Sequence, residues 1–184
     1  QSRLHSTTYL PTWRGSIIDR RGRVIAEDVA SYDIAMYWDV ITGERFEDFA
    51  RKDAIDLVGK EVWNSMSPED SERLIATFLP VRMQELDQFL HAVAQLGEIE
   101  FEELEHRLRL IRADVDKTAN AVWKSQEAEH KRKYKDSQFE VQAIREHREA
   151  HVVLPRVSDH QAMQFSLWSE SLDSAITVQH ARQR

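Results

Sequence analysis

The sequence predicts an α+β fold, in which strands from both ends of the chain form a small mixed sheet. A long, mostly helical head or arm is inserted between them. Three observations predict this: short apolar runs bounded by turn residues near the start, apolar residues at helical spacing through the middle, and short apolar runs again near the end. We therefore divide the chain into a β-rich base, residues 1–45 and 149–184, and a helical head, residues 46–148.

The base is predicted to begin with a β-hairpin. Two short apolar runs, residues 16–18 and 24–26, flank a turn that reads Asp19-Arg20-Arg21-Gly22. An aspartate at the first turn position can accept hydrogen bonds from the backbone beyond it, and a glycine at the fourth can take positive φ. A strand over residues 31–38 should follow, and Thr42-Gly43 is expected to close the strand region.

Capping signals divide the head into helices. Ser67 followed by Pro68 and two acids is a typical helix start, and Gly59 and Gly97 are expected stops. Pro80 is expected to end or kink the helix that contains it. After Gly97 the apolar spacing continues and predicts a second helix of about 35 residues, so the two should form a helical hairpin.

The end of the chain returns to mixed structure. A strand is predicted over residues 151–154, and Pro155 is expected to end it. Ser158 and Gln161 have the spacing of a capping box at the start of a short helix. A last strand is predicted over residues 175–178.

Composition excludes several classes of function. The 184 residues carry 25 Lys+Arg against 32 Asp+Glu, and a net charge of −7 excludes a generic nucleic-acid binder. The absence of cysteine excludes disulfides, thiolate catalysis and cysteine-ligated zinc. No run approaches the roughly 18 apolar residues of a membrane span. The first residue is Gln1 rather than Met, from which we expect an excised segment or a processed product.

Negative charge is concentrated in the predicted helices. Residues 39–72 hold ten acidic and four basic side chains, a net charge of −6, and residues 98–116 hold seven and three, a net charge of −4. We interpret both as solvated helix faces. The alternative is a docking surface for a basic partner.

Motifs for catalysis or cofactor binding are not found. The glycines are too widely spaced for a phosphate-binding loop, and no G-x-S-x-G motif occurs. His147 and His151 are four residues apart, as in some metal sites, but no third ligand is evident and solvated histidines are the simpler interpretation. We predict no catalytic residue, no metal and no cofactor. Five dispersed tryptophans are interpreted as core or interface residues: Trp13, Trp38, Trp63, Trp123 and Trp168.

Residues 14–26 read R-G-S-I-I-D-R-R-G-R-V-I-A. They resemble the signature R-G-x-I-x-D-R-N-G-x-x-L-A, which opens the periplasmic part of class B penicillin-binding proteins, the peptidoglycan transpeptidases. Ile25 stands for leucine, and Arg21 replaces the usual asparagine. Seven positions match outright: Arg14, Gly15, Ile17, Asp19, Arg20, Gly22 and Ala26.

A second, weaker resemblance lies near the end of the chain. The predicted strand, serine-capped helix and strand over residues 152–178 are similar to the family's pedestal where it returns toward the catalytic domain. Arg182 would lie where the family runs through basic residues into that domain. The two stretches cover about a third of the chain, and the family places a variable helical head between them.

The resemblance concerns only the pedestal, also called the dimerisation domain. The family's transpeptidase domain carries S-x-x-K, S-x-N and K-T-G, and none of these occurs in this sequence. We therefore expect a segment that is not an enzyme, from a parent anchored by one transmembrane helix at the periplasmic face of the inner membrane. Expected partners are its own transpeptidase domain and cell elongation or division proteins, with a homodimer left open. The alternative is a stand-alone helical adaptor.

The signature residues Arg14 and Asp19 have two open interpretations. They either form charge-assisted bonds that hold the hairpin to the C-terminal strand, or belong to a plain surface turn. In both cases the signature residues Arg14, Gly15, Asp19, Arg20 and Gly22 have a structural role.

Overall fold

The computed structural model describes residues 16–26, 31–134, 139–169 and 175–181. It confirms the α+β class, with small sheets from the two ends of the chain around a long helical region. The chain divides into two compact units, residues 1–30 and residues 31–184.

The first unit contains strands β1 (Ile17–Ile18) and β2 (Val24–Ala26). The second contains β3 (Tyr32–Tyr37), α1 (Trp38–Thr42), α2 (Glu44–Val58), α3 (Lys60–Ser65), α4 (Pro68–Leu96), α5 (Phe101–Lys133), a 3₁₀ turn (Arg145–Arg148), β4 (Ala150–Val157), α6 (Asp159–Ser169) and β5 (Ile176–His180).

A three-stranded sheet joins the two ends of the second unit. Its order is β4-β3-β5, and β3 pairs antiparallel with both neighbours. The predicted mixed sheet is thus antiparallel in the part of the chain that the structure describes. Tyr37, the last residue of β3, pairs with Ala150, the first of β4. The chain therefore leaves and re-enters the sheet at the same end, which makes β4 run back along β3.

The core lies on both sides of β3. Ile34, Ala35 and Met36 are consecutive and each is 0% exposed, so both faces of the strand are covered. Helix α6 packs against β3 and β5, and its residue Phe165 is fully buried in the apolar core cluster. The helices α4 and α5 contribute Val93 and further residues to the same apolar cluster.

The helix ends follow the capping signals. Ser67 Oγ accepts a hydrogen bond from the Asp70 amide at 3.1 Å, and α4 starts at the next residue, Pro68. Gly59 and Gly97 follow the last residues of α2 and α4. Gly97 also permits close packing, because a Cβ there would lie 2.6 Å from Leu154 Cδ1.

Two prolines do not end their elements. Helix α4 continues through Pro80, and tertiary contacts with α2 stabilise it directly afterwards, where Arg82 binds Asp53. Strand β4 continues through Pro155 by means of a bulge, a position at which proline is tolerated. Next to it Arg156 has a φ of 58°, and its amide donates to Asp33 Oδ1 at 2.9 Å.

The strand region ends earlier than predicted. Residues 38–42 form the short helix α1, because Trp38, Val40 and Ile41 turn inward and are buried. Gly43, at a φ of 91°, ends this helix. Within the described ranges, no helix combines the length and the apolar character needed to cross a bilayer.

Candidate functional site

The signature hairpin is built around the turn predicted from the sequence. The Gly22 amide donates to the Asp19 carbonyl at 2.9 Å, and the Asp19 amide donates to the Arg23 carbonyl at 2.8 Å. Gly22 has a φ of 77°, a left-handed conformation that costs glycine little. Strands β1 and β2 pair antiparallel on either side, with an irregular register after Ile17.

The Asp19 side chain fixes the turn from within. One carboxylate oxygen accepts hydrogen bonds from the Arg21 and Arg23 amides, at 2.8 and 2.9 Å. The other accepts from Arg23 Nε at 2.7 Å. These bonds, first that from the Arg23 amide and then that from its guanidinium, lower the pKa of Asp19 below its ordinary value of 3.8.

The apolar residues of the hairpin are exposed. The exposed fractions are 61% for Ile17, 60% for Ile18, 57% for Val24 and 67% for Ile25. Neighbouring residues of a strand point to opposite faces, so both faces of the ribbon carry aliphatic side chains. Two-stranded ribbons are marginally stable alone, and exposed apolar patches typically mark contact surfaces. The hairpin is therefore a candidate interaction site.

The sequence-predicted site residues are only partly described. Arg14, Gly15 and Arg182 lie outside the described residues. Asp19 and Gly22 form the turn as expected, and Arg20 is exposed within it. The hairpin forms its own two-stranded sheet instead of joining the sheet of β3. A bond from the hairpin to the C-terminal strand stays a prediction.

Two arginines of α5 that the sequence analysis missed hold this helix to the base. Arg112 Nε donates to the carbonyl of Ile41 at 2.8 Å, and its terminal nitrogen donates to the same oxygen. Arg107 donates to the carbonyl of Val153 in β4 at 3.1 Å. Both arginines lie among many charged helix residues, and no sequence signal distinguishes them from solvated ones.

The contact between α2 and α4 carries a second arginine cluster. Arg82 donates to both carboxylate oxygens of Asp53, at 2.7 and 2.8 Å, and to Glu85 at 2.7 Å. Its guanidinium also lies 5.8 Å from the ring centre of Phe49. The bond from Arg82 lowers the pKa of Asp53. This cluster fixes the register of α4 against α2.

The two histidines considered as metal ligands pack on tryptophan. The rings of Trp38 and His147 stack with centres 5.3 Å apart, and His151 meets Trp38 edge-on at 5.9 Å. His151 Nε2 also bonds the Glu146 carbonyl at 2.8 Å. Across the described residues, no three His, Asp or Glu side chains are grouped so that they could hold a metal ion.

Comparison with known proteins identifies no relative of this chain. No family model, no curated protein and no solved structure matches this chain.

The hydrogen bonds that the Asp19 carboxylate accepts in the turn should depend on pH. The folded-state pKa of Asp19 is lowered, so its contribution to the turn is present above pH 3.8 and is lost as the pH falls through the lowered value. In an NMR titration we expect the amide protons of Arg21 and Arg23 to shift together, with a midpoint below pH 3.8. Asp19→Asn should abolish this shift. A midpoint at or above 3.8 in the native chain would contradict the assignment.

Proposed function

We propose that this chain is the non-catalytic pedestal, or dimerisation domain, of a class B penicillin-binding protein that takes part in peptidoglycan synthesis. The single observation that carries the proposal is the agreement of residues 14–26 with the family signature. That agreement includes Asp19 and Gly22, whose turn geometry gives a physical reason for the residue types at those positions. The proposed location is the periplasmic face of the inner membrane.

The topology of the second unit supports the same proposal. In such a pedestal, the strands before and after a helical head must be held together, so that the chain segments beyond them keep a fixed distance and angle. Here β3 precedes the helices, β4 and β5 follow them, and all three share one sheet. The bonds of Arg112 and Arg107 fix α5 to this base.

The proposed activity is mechanical. The pedestal would hold the transpeptidase domain of the parent protein above the membrane, while the helices present surfaces to elongation or division proteins. The exposed aliphatic faces of the hairpin would be covered by that catalytic domain. The acyl-transfer chemistry belongs to the catalytic domain, because this sequence lacks the serine–lysine pair that performs it.

The test is to extend the gene in both directions and to label the proteins with a fluorescent penicillin. We expect about 20 apolar residues upstream of the signature and S-x-x-K downstream of the last strand. The extended protein should form a covalent adduct, whereas the 184-residue chain should form none.

Two outcomes would overturn the proposal. A gene with no downstream transpeptidase would favour the stand-alone helical adaptor. A penicillin adduct on the 184-residue chain itself would show that the segment is catalytic. A catalytic-serine variant of the extended protein is the matched control, because it retains the pedestal and should lose the label.

A further inference from the structure

The α2–α3 corner, which we define as residues 56–66, leaves apolar side chains at the surface. Leu57 is 67% exposed and Val62 is 51% exposed. Helix α3 buries none of its residues. Gly59 separates the two helices at a φ of 81°, and a Cβ placed on it would meet nothing within 4 Å. The corner is thus an apolar surface that the described residues of its own unit do not cover.

Negative charge is concentrated in the chain segment that carries these apolar residues. Residues 56–72 contain five acidic side chains and one basic side chain. Asp70 lies 3.7 Å from Arg73. The other four carboxylates are exposed, and none has an ion-pair partner within the described residues: Asp56, Glu61, Glu69 and Glu72. An apolar surface with free negative charge in the same segment is complementary to a positively charged, amphipathic partner.

The other acidic region, residues 98–116, also carries exposed carboxylates, but it exposes one large apolar side chain where the corner exposes two. Glu103 is paired with Arg107 at 2.7 Å. The apolar stripe of α5 is turned inward, where Leu104 and Leu108 are buried. Leu110 is the one large apolar residue of this range that is highly exposed, at 57%. The region therefore supplies matched control positions.

We propose that the α2–α3 corner binds a basic amphipathic helix of a partner protein. Leu57 and Val62 would contact the apolar face of that helix, and the carboxylates of this segment would pair with its lysines or arginines. The proposal names a partner class for the helices of the proposed pedestal, but it depends on this surface alone. Its failure is therefore distinguishable from a failure of the penicillin-labelling test.

The test is an NMR titration of the isotope-labelled chain with a synthetic amphipathic helix of leucine and lysine. The same peptide with glutamate in place of lysine serves as the charge control. We expect shift changes confined to residues 56–73 for the lysine peptide and none for the glutamate peptide. Binding should weaken as salt approaches about 1 M, where screening is nearly complete.

Paired variants separate specific docking from general attraction between opposite charges. Leu57→Ser with Val62→Ser should weaken binding of the lysine peptide at least about tenfold, since two apolar contacts are lost. Glu61→Lys with Glu69→Lys should weaken it to a similar extent. Circular dichroism should show unchanged helix content.

The control variants lie in α5. Leu110→Ser and the pair Glu102→Lys with Glu105→Lys should bind the lysine peptide as the native chain does. Full binding by the Leu57→Ser, Val62→Ser variant would overturn the proposal, as would shift changes that map to residues 98–116. Tighter binding to anionic phospholipid vesicles than to the lysine peptide would identify a membrane surface instead and would also overturn it.

Discussion

Replacing Phe165 with alanine is expected to lower the free energy of unfolding by about 3–5 kcal/mol, the cost typical of truncating a fully buried aromatic residue. Phe165 is 0% exposed and belongs to the apolar core cluster, and its helix α6 packs against β3 and β5. The substitution would leave a cavity next to the central strand, and it would loosen the contact between the end of the chain and the rest of the base. Urea denaturation of the two proteins measures the difference.

The matched control for Phe165→Ala is Met163→Ala on the same helix. Met163 is 64% exposed, so its truncation should change the free energy of unfolding by less than about 0.5 kcal/mol. Equal unfolding midpoints for the two variants would contradict the burial of Phe165.

Replacing Arg112 with alanine has the second largest expected effect, a loss of about 1–3 kcal/mol. Its guanidinium donates twice to the carbonyl of Ile41. That carbonyl lies in the last turn of α1, where helix carbonyls lack partners within the helix. Without the arginine, the carbonyl oxygen of Ile41 would lose the hydrogen bonds that Arg112 donates to it. Amide exchange in α1 should accelerate together with the loss of stability.

Arg109→Ala is the control for Arg112→Ala, because Arg109 is exposed on the same helix and should contribute less than about 0.5 kcal/mol. Arg112→Lys should recover part of the stability, since an ammonium can donate to the same carbonyl but cannot reproduce the two-nitrogen geometry. If the alanine variants at positions 109 and 112 were equally stable, the bond to Ile41 would carry no net free energy.

Features that depend on a few neighbouring residues were predictable from the sequence. The turn of Asp19 and Gly22, the cap of Ser67 and the capping box of Ser158 with Gln161 all form as predicted. Each is decided by hydrogen bonds that span four residues or fewer, so the residue types alone carry the information. The α+β class was predictable because the spacing of apolar residues along each segment is also a local signal.

The candidate site was predictable only in part. The residues of the turn were identified, but the exposure of Ile17 and Ile25 was not, because an apolar strand looks the same in sequence whether or not another element covers it. For the acidic residues 39–72 the sequence left two interpretations open, solvated helix faces or a docking surface for a basic partner, and it did not single out the α2–α3 corner. Its negative charge is visible in the sequence, whereas the lack of cover over Leu57 depends on where α4 packs.

The sequence by itself determined the turn of Asp19 and Gly22, the start of α4 after Ser67, its end before Gly97 and the α+β class, because these depend on local backbone preferences. Only the tertiary structure decided that α4 passes through Pro80, that β4 passes through Pro155, and that Arg112 rather than Arg109 binds α1. At the two prolines, contacts between residues distant in the chain outweigh the local preference of proline to end an element. At the two arginines, such a contact distinguishes residues that are locally alike. A single sequence does not show which distant residues meet.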